Sequence, residues 1–323
     1  MKAVTYHRYG SPDVLEYGEM EKPSPGDGEV LIKIYAASLN PYDWHFLRGT
    51  PYIMRLTMGL RKPKTTQLGV DVAGQVEAVG TNVTGFKPGD EVFGSCRGSC
   101  AEYACASASA LASKPKNVTF EQAASVPVAA LTALQALRDR GHIQAGQKVL
   151  IHGAAGGVGT FAVQIAKSFG AEVTGVCSTR NVDMVRSIGA DHVIDYTQED
   201  FTRSGRRYDS ILDCVGNHSL SACRRALNPK GTFLLVGGQA GRWISPLGRL
   251  IKALLMSPFV SQNLVPCMTK SSREDLSILR ELLEAGKITP VIDRRYSLSE
   301  VLQAVRYLEQ GHARGKVVIT PGP

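Results

Sequence analysis

The sequence predicts an α/β protein with two domains, the first built mainly of strands and the second around a doubly wound parallel sheet. The chain has 323 residues, about twice the common size of a single domain. Short strand-like segments and turns fill the first third, whereas strands and helices alternate after residue 121. Such alternation is typical of a parallel sheet with crossover helices on both faces.

The composition is that of a folded chain. Hydrophobic residues make up 43% and charged residues 20% of the sequence, which excludes a largely disordered protein. No apolar run approaches the roughly 18 residues that a membrane span requires, and segment 1–8 lacks a secretory signal pattern. Because the seven cysteines are scattered, we expect a cytoplasmic protein with reduced thiols and no membrane span.

The formal net charge of +8 would suit an anionic partner. However, the sequence contains no long block of basic residues and no nucleic-acid motif. A basic fold that binds a phosphorylated cofactor accounts for the sign of the charge equally well. We therefore expect no dedicated nucleic-acid partner.

The first third is expected to form a small β-barrel. Segments 2–6 and 29–37 alternate or run apolar, and Pro/Gly clusters separate them. Segment 70–79 is a strand pattern interrupted by glycine, and the turn within 85–94 leads into another strand.

The remaining elements follow from periodicity. Segment 242–259 is basic and apolar and is interrupted near Pro246 and Pro258; a helix at the interdomain cleft or a subunit interface explains it better than a membrane-surface helix. The predicted strands are 148–152, 172–177, 192–195, 208–213, 232–236 and 316–319. The predicted helices are 121–137, 158–169, 182–188, 220–227, 273–285 and 299–310.

A glycine-rich turn joins the predicted strand 148–152 to the amphipathic helix that follows it. Glycines there allow a tight turn, close approach of the backbone to a diphosphate and close helix–strand packing, and the helix N-terminus offers N–H groups to the anion. One position departs from the dinucleotide-binding pattern, because Ala154 stands where the first glycine is usual. The turn nevertheless predicts a dinucleotide site, with expected contacts at Ala155, Gly156, Gly157 and Val158.

The end of the second predicted strand indicates which dinucleotide binds. An NAD site places a carboxylate there to accept a hydrogen bond from the ribose 2′-hydroxyl. This strand instead leads into Ser178 and Arg180, whose hydroxyl and guanidinium suit a 2′-phosphate. We therefore predict NADPH as the cofactor. The alternative is that Ser178 caps the next helix and Arg180 is solvated.

These features together resemble the medium-chain dehydrogenase/reductase superfamily, and within it the zinc-free quinone oxidoreductase branch related to zeta-crystallin. The resemblance covers nearly the whole chain. It implies a GroES-like β-barrel domain over 1–122, a Rossmann-type domain over 123–265 and a C-terminal segment, 266–323, that returns to the first domain. The segments that carry it are 38–43, 69–74, 88–92, 123–127, 153–159 and 315–318.

The resemblance also implies roles for single residues. Asn40 is expected near the nicotinamide ribose with Asp43 as its structural partner, and Tyr196 beside the 2′-phosphate. Tyr196 could instead be a rim aromatic residue, and Lys316 an ordinary surface charge. The remaining expected cofactor contacts are Thr132, Val215, Gly237, Gly238 and Lys316.

The sequence predicts no catalytic metal. Zinc needs three protein ligands, and the zinc alcohol dehydrogenases of the superfamily have a cysteine where this chain has Asn40 and a Gly-His-Glu run at its 69–71. The spacing of Cys96, Cys100 and Cys105 fits the four-cysteine zinc lobe of those enzymes poorly, so we expect these thiols to be packed in the core.

Without a Lewis acid, the expected chemistry is hydride delivery to a conjugated acceptor, a quinone or an enone or enal. Tyr42 and Tyr52 are the candidate proton donors, although either could merely line the pocket. Segment 50–64 is rich in Met and Leu and is expected over the substrate mouth or in a subunit contact. We expect a homodimer. The alternatives are a zinc-type alcohol dehydrogenase and a non-catalytic NADPH- or RNA-binding protein.

Overall fold

A computed structural model describes residues 1–237, 247–256 and 260–322. The chain forms two compact units. Unit 1 consists of Met1–Leu131, Ser271–Gly286 and Pro290–Pro323, and unit 2 of Thr132–Lys270 and Lys287–Thr289. The domain boundaries expected from the resemblance, at 122/123 and 265/266, stay a prediction.

The strands and helices are numbered in chain order. The strands are β1 Lys2–Thr5, β2 Glu16–Glu19, β3 Glu29–Leu39, β4 Asp71–Val79, β5 Glu91–Ser95, β6 Tyr103–Ser107, β7 Leu111–Ser113, β8 Lys148–His152, β9 Glu172–Cys177, β10 His192–Asp195, β11 Tyr208–Asp213, β12 Leu227–Leu235, β13 Asn263–Pro266, β14 Ile292–Ser297 and β15 Lys316–Thr320. The helices are α1 Pro41–Arg48, α2 Arg55–Met58, α3 Phe120–Ala124, α4 Pro127–Gln135, α5 Gly157–Ser168, α6 Val182–Ser187, α7 Leu220–Arg225, α8 Leu247–Met256, α9 Arg273–Glu284 and α10 Val301–Glu309.

Unit 1 is built around a seven-stranded sheet with the order β14-β15-β3-β4-β5-β7, in which β6 also pairs with β3. The C-terminal strand β15 runs antiparallel to β3, with Val318 opposite Ser38. In the neighbouring antiparallel pair, Ser38 lies opposite Asp71 of β4. The two ends of the chain therefore meet in one sheet, and their registers place Ser38, Asp71 and the start of β15 close together.

Unit 2 contains a six-stranded sheet with the order β10-β9-β8-β11-β12-β13. Every neighbouring pair in it is parallel, so the predicted doubly wound parallel sheet is confirmed. The strand order reverses between β8 and β11. Ligands of such sheets bind at the carboxyl ends of the strands beside this reversal.

The predicted helix 121–137 is wrong in one respect, because the structure has two helices there. α3 ends at Ala124, and α4 begins with Pro127. A proline has no N–H group and disfavours helical geometry in the residue before it, so it ends one helix and suits the first position of the next. From Ala136 to Arg140 the chain continues as one π-helical turn.

The basic apolar segment 242–259 is described only as helix α8. Pro246 and Pro258 lie outside the described residues. None of the helices in the described ranges is both long enough and apolar enough to cross a membrane.

Candidate functional site

The carboxylate of Asp71 is the centre of a buried polar cluster in unit 1. Its Oδ2 accepts hydrogen bonds from Ser38 Oγ at 2.9 Å, Asn40 Nδ2 at 2.9 Å and Lys316 Nζ at 3.1 Å. Its Oδ1 accepts one from the backbone N–H of Val128, in the first turn of α4, at 2.9 Å. Asp71 is 0% exposed, and such burial of a charge is tolerated only when donors satisfy its lone pairs.

Lys316 is held inside the same cluster. Its side chain is 3% exposed, and Nζ donates to Asn40 Oδ1 at 2.5 Å as well as to Asp71. This burial excludes the alternative that Lys316 is an ordinary surface charge. Both polar atoms of the Asn40 amide are therefore engaged, Oδ1 by Lys316 and Nδ2 by Asp71, and the amide has one fixed orientation.

Asn40 is also the N-cap residue of α1. Its backbone N–H donates to Asp43 Oδ2 at 2.7 Å, as in a capping box, and the expected partnership of these two residues is confirmed. Asp43 is 3% exposed. Burial raises the pKa of its carboxyl group to about 7, because the charged form is poorly solvated there.

The side chains at this site do not fit a zinc ion. The side chain of Val70 has no atom that can ligate a metal. The cationic group beside Asn40 and Asp71 is the ammonium of Lys316. Burial raises the pKa of the Cys96 and Cys100 thiols, which opposes the thiolate form that a metal needs. Across the described ranges, no group of three His, Cys, Asp or Glu side chains is arranged to hold a metal ion.

A pocket that is open to solvent lies in unit 1. Tyr42 and Asp43 line it together with Tyr6, Phe46, Val70 and Arg97, among others. Burial raises the pKa of the Tyr42 hydroxyl. The second candidate proton donor, Tyr52, does not line this pocket; its ring lies 4.7 Å from the guanidinium of Arg55.

Segment 50–64 contributes no residue to this pocket. It contains one 3-10 turn and α2, and its Leu56 and Leu60 are 68% and 67% exposed. Its expected place over a substrate mouth or in a subunit contact therefore stays a prediction.

In unit 2, the glycine-rich turn lies between β8 and α5. Gly153 has a φ of +87°, so it makes the tight turn one position before Ala154. The methyl group of Ala154 lies over Gly175, where an added Cβ would be only 3.0 Å away. The presence of alanine instead of glycine at position 154 therefore leaves the turn intact. Gly153 adopts the positive φ that the turn needs, and Gly175 leaves room for the methyl group of Ala154.

Gly156 and Gly159, at the second and third glycine positions of the dinucleotide-binding pattern, have separate roles. A Cβ on Gly159 would lie 2.0 Å from the backbone oxygen of Gly153, so only glycine permits this close packing of helix and strand. A Cβ on Gly156 would meet nothing nearer than 3.5 Å. Gly156 is the N-cap residue of α5 and provides no side-chain acceptor. The first N–H groups of α5 are therefore not capped by a side chain at this position, and uncapped N–H groups at a helix start suit a diphosphate.

The ends of β9 and β10 bring three predicted residues to one edge of unit 2. Ser178 and Arg180 follow β9, and Tyr196 follows β10 with its N–H donating to Cys177 O at 3.0 Å. Tyr196 is 54% exposed and Arg180 is exposed. Ser178 occupies a capping position, but its side chain makes no capping hydrogen bond, which weakens the alternative that it serves only as a cap.

The carboxylate of Asp195, at the end of β10, is already engaged. Asp195 Oδ2 accepts a hydrogen bond from Thr179 Oγ1 at 2.6 Å, and its Oδ1 accepts one from Thr197 Oγ1 at 2.8 Å. Both oxygens of the Asp195 carboxylate are therefore engaged within the protein.

The remaining predicted contacts in unit 2 are placed as follows. Val215 N donates to Asp213 Oδ1 at 3.0 Å, beside Gly153. An added Cβ on Gly237 would lie 2.1 Å from Cys214 O, so this position requires glycine. Thr132 Oγ1 lies 2.6 Å from Thr269 Oγ1. Gly238 lies outside the described residues.

One polar group at the strand reversal was missed by the sequence analysis. His152 Nδ1 lies 2.8 Å from Asp213 Oδ1, and Arg249 Nη2 donates to Asp213 Oδ2 at 2.5 Å. Burial opposes ionisation of Asp213, but the His152 hydrogen bond and the Arg249 charge hold its pKa well below the usual range. A His and an Asp at the carboxyl ends of two buried strands were the available signal.

Comparison with known proteins gives two family matches. Residues 26–165 match the alcohol dehydrogenase GroES-like domain, and residues 188–319 match the zinc-binding dehydrogenase family. Quinone-oxidoreductase QR1 of Triphysaria versicolor, a chloroplastic protein, is 36% identical, with 99% of this chain and 98% of the relative covered. The NADPH-dependent alkenal/one oxidoreductase of Arabidopsis thaliana, also chloroplastic, is 35% identical, with 100% and 80% covered.

A solved structure shares the fold. The quinone oxidoreductase of Escherichia coli, crystallised with NADPH, superposes with a TM-score of 0.86 at 25% identity. The match covers 99% of this chain and 100% of the other.

The roles of Gly156 and Gly159 can be separated by experiment. Gly159→Ala should lower the free energy of unfolding by about 1–3 kcal/mol, because the methyl group collides with backbone. Gly156→Ala should unfold like the wild-type chain but bind NADPH more weakly, because its methyl group enters the diphosphate space. Denaturant unfolding and fluorescence titration with NADPH measure the two effects. If the two variants had the same free energy of unfolding and lost the same affinity for NADPH, these separate roles would be contradicted.

Asp71→Asn should destabilise the protein by about 3–5 kcal/mol, because it leaves the buried ammonium of Lys316 without its counter-charge. The matched control is Glu77→Gln on the same strand, which removes a half-exposed pair with Lys22 and should cost at most about 1 kcal/mol. Chemical denaturation of both variants is the measurement. A loss for Asp71→Asn no larger than that of the control would show that the cluster is not a structural centre.

Proposed function

Because the chain belongs to the medium-chain dehydrogenase/reductase superfamily, we propose that it reduces quinones or other conjugated carbonyl compounds at the expense of NADPH. The observation that carries this proposal is the edge of the parallel sheet in unit 2. There the start of α5 has no side-chain cap, so its N–H groups suit a diphosphate. The exposed Arg180 suits a 2′-phosphate.

The residues of unit 2 divide the binding of the cofactor among them. When bound, NADPH supplies a hydride from its nicotinamide ring. The N–H groups at the start of α5 bind the diphosphate, with Ala155 and Gly156 leaving room for it. Ser178, Arg180 and Tyr196 bind the 2′-phosphate, and Thr132, Val215, Gly237 and Gly238 line the rest of the cofactor site. The NADPH complex of the Escherichia coli structural neighbour supports this choice of cofactor.

The cluster in unit 1 favours chemistry that needs no zinc. The positive charge beside Asn40 is the Lys316 ammonium, and the side chains there do not fit a metal. Without a Lewis acid, hydride acceptance is favoured where the new negative charge delocalises onto a distant carbonyl oxygen. Quinones, enones and enals have this property. Relatives named quinone oxidoreductase and alkenal/one oxidoreductase support the same class.

Three side chains of unit 1 complete the proposal. Asn40, whose amide is fixed by Asp71 and Lys316, contacts the nicotinamide ribose. Lys316 holds that amide and remains a proposed cofactor contact. Tyr42 stands in the pocket with its pKa raised by burial, so its hydroxyl stays protonated at neutral pH and donates the proton that the reduced acceptor takes up. Tyr52 remains a second candidate for that step.

Three further features of the proposal concern the whole protein. A homodimer is proposed from the resemblance to the superfamily. A cytoplasmic location is proposed from the sequence, although the relatives compared here include chloroplastic proteins. The partner is a small molecule, and no dedicated nucleic-acid partner is proposed. A zinc-type alcohol dehydrogenase is disfavoured by the ligand set at Asn40 and Val70.

Arg180→Ala should weaken NADPH binding by about tenfold to a hundredfold, because a charge-assisted hydrogen bond to the 2′-phosphate is lost. NADH lacks this phosphate and should bind almost unchanged. The control is Arg186→Ala, which removes an exposed arginine of α6 and should leave both affinities unchanged. Equilibrium titration with each cofactor is the measurement; equal losses for NADPH and NADH would mean that Arg180 does not bind the phosphate.

The reaction itself is tested by following NADPH absorbance with a naphthoquinone and with an aliphatic enone. We expect oxidation with at least one of them. If NADPH binds and neither these acceptors nor a wider panel is reduced, the proposed activity is wrong and a non-catalytic NADPH-binding role takes its place.

A further inference from the structure

The pocket of unit 1 contains a buried tyrosine that the proposed function leaves unused. Tyr6 directly follows β1, and its backbone N–H donates to Thr66 O at 2.8 Å. Its ring packs in a core with Leu39, Leu47 and Leu68, and the residue is 2% exposed. These contacts fix the ring, so its hydroxyl group has a defined position at the pocket wall.

The Tyr6 hydroxyl has no hydrogen-bond partner in the described part of the chain, yet it is not among the fully buried unpaired polar atoms. Because Tyr6 lines the pocket, we place this hydroxyl at the pocket wall. The neighbouring Tyr9 differs, because its hydroxyl donates to Gly59 O at 2.8 Å. A nearly buried hydroxyl without a partner is unfavourable unless a ligand or water completes it.

Three other polar side chains that line the pocket are committed or lie toward solvent. Asp43 accepts the N–H of Asn40, Gln67 Nε2 lies 3.4 Å from Met20 Sδ, and Arg97 is exposed. The aromatic rings of Tyr42 and Phe46, 4.0 Å apart, form one side of the same space. A flat ring can pack against aromatic side chains of this kind.

We propose that Tyr6 determines specificity in this pocket: its hydroxyl donates a hydrogen bond to the carbonyl oxygen of a flat ring held beside Tyr42 and Phe46. The preferred acceptor is then a cyclic conjugated ketone of the quinone class rather than an open-chain alkenal. This inference rests on the proposed function for the reaction, but the binding that it describes can be measured without catalysis.

The experiment compares two unreactive bicyclic probes that differ by a single carbonyl group, 1-indanone and indane. Tyr6→Phe keeps the ring and removes only the hydroxyl. It should weaken 1-indanone binding by about three- to tenfold and leave indane binding unchanged, because only the ketone accepts a hydrogen bond. Ligand-observed NMR titration of the full chain gives both dissociation constants, and Tyr17→Phe, an exposed tyrosine of β2, is the control.

Stability and kinetics complete the test. Tyr6→Phe should unfold at the same denaturant concentration as the wild-type chain, because no protein hydrogen bond is lost. With NADPH, its kcat/KM should fall for a quinone by a similar factor and stay the same for an open-chain alkenal. If the wild-type chain reduces no acceptor but loses ketone affinity on Tyr6→Phe, the proposed activity fails and the Tyr6 inference stands.

Two results would overturn the inference. One is that the wild-type chain binds neither probe, or that Tyr6→Phe binds each probe with the same affinity as the wild-type chain. The other is that quinone reduction proceeds at the same kcat/KM in the wild-type chain and in Tyr6→Phe. Either result would mean that the Tyr6 hydroxyl faces only water.

Discussion

A buried carboxylate has to be matched by donors, and the way Asp71 meets this demand organises unit 1. Its four donors come from β3, the residue after β3, the start of α4 and the C-terminal strand β15. The hydrogen bonds that satisfy the Asp71 carboxylate therefore connect β3 with the C-terminal strand β15. It also places the ammonium of Lys316 beside Asn40 and Asp71, where the side chains do not fit a zinc ion.

Unit 2 meets a different requirement, because an anionic cofactor has to bind where few charged side chains are present. Gly153 makes the turn, Gly159 lets the helix approach the strand, and at Gly156 no side chain fills the space beside the helix start. The result depends on backbone N–H groups rather than on lysines or arginines. For the proposed selectivity toward NADPH, one cation at the neighbouring strand end is then enough, and Arg180 is the residue that we propose for it.

Sequence reasoning predicted β8, β9, β10 and β11 to the residue, because each is a short apolar run ending at a polar residue or turn. It merged α3 with α4, since alanine-rich spacing hid the effect of Pro127. Asn40 and Lys316 were singled out separately through the resemblance, but their joint contact with Asp71 depends on strand registers between distant segments, which no local pattern reveals. Tyr6 was missed for the same reason, since only folding brings it beside Tyr42.

Lys316, not a metal ion, supplies the positive charge beside Asn40 and Asp71. The most direct test is to dialyse the protein against a strong chelator, measure its metal content by mass spectrometry and assay NADPH oxidation with a quinone. The account predicts undiminished activity in protein free of zinc. Activity that disappears with the metal and returns when zinc is added would contradict it.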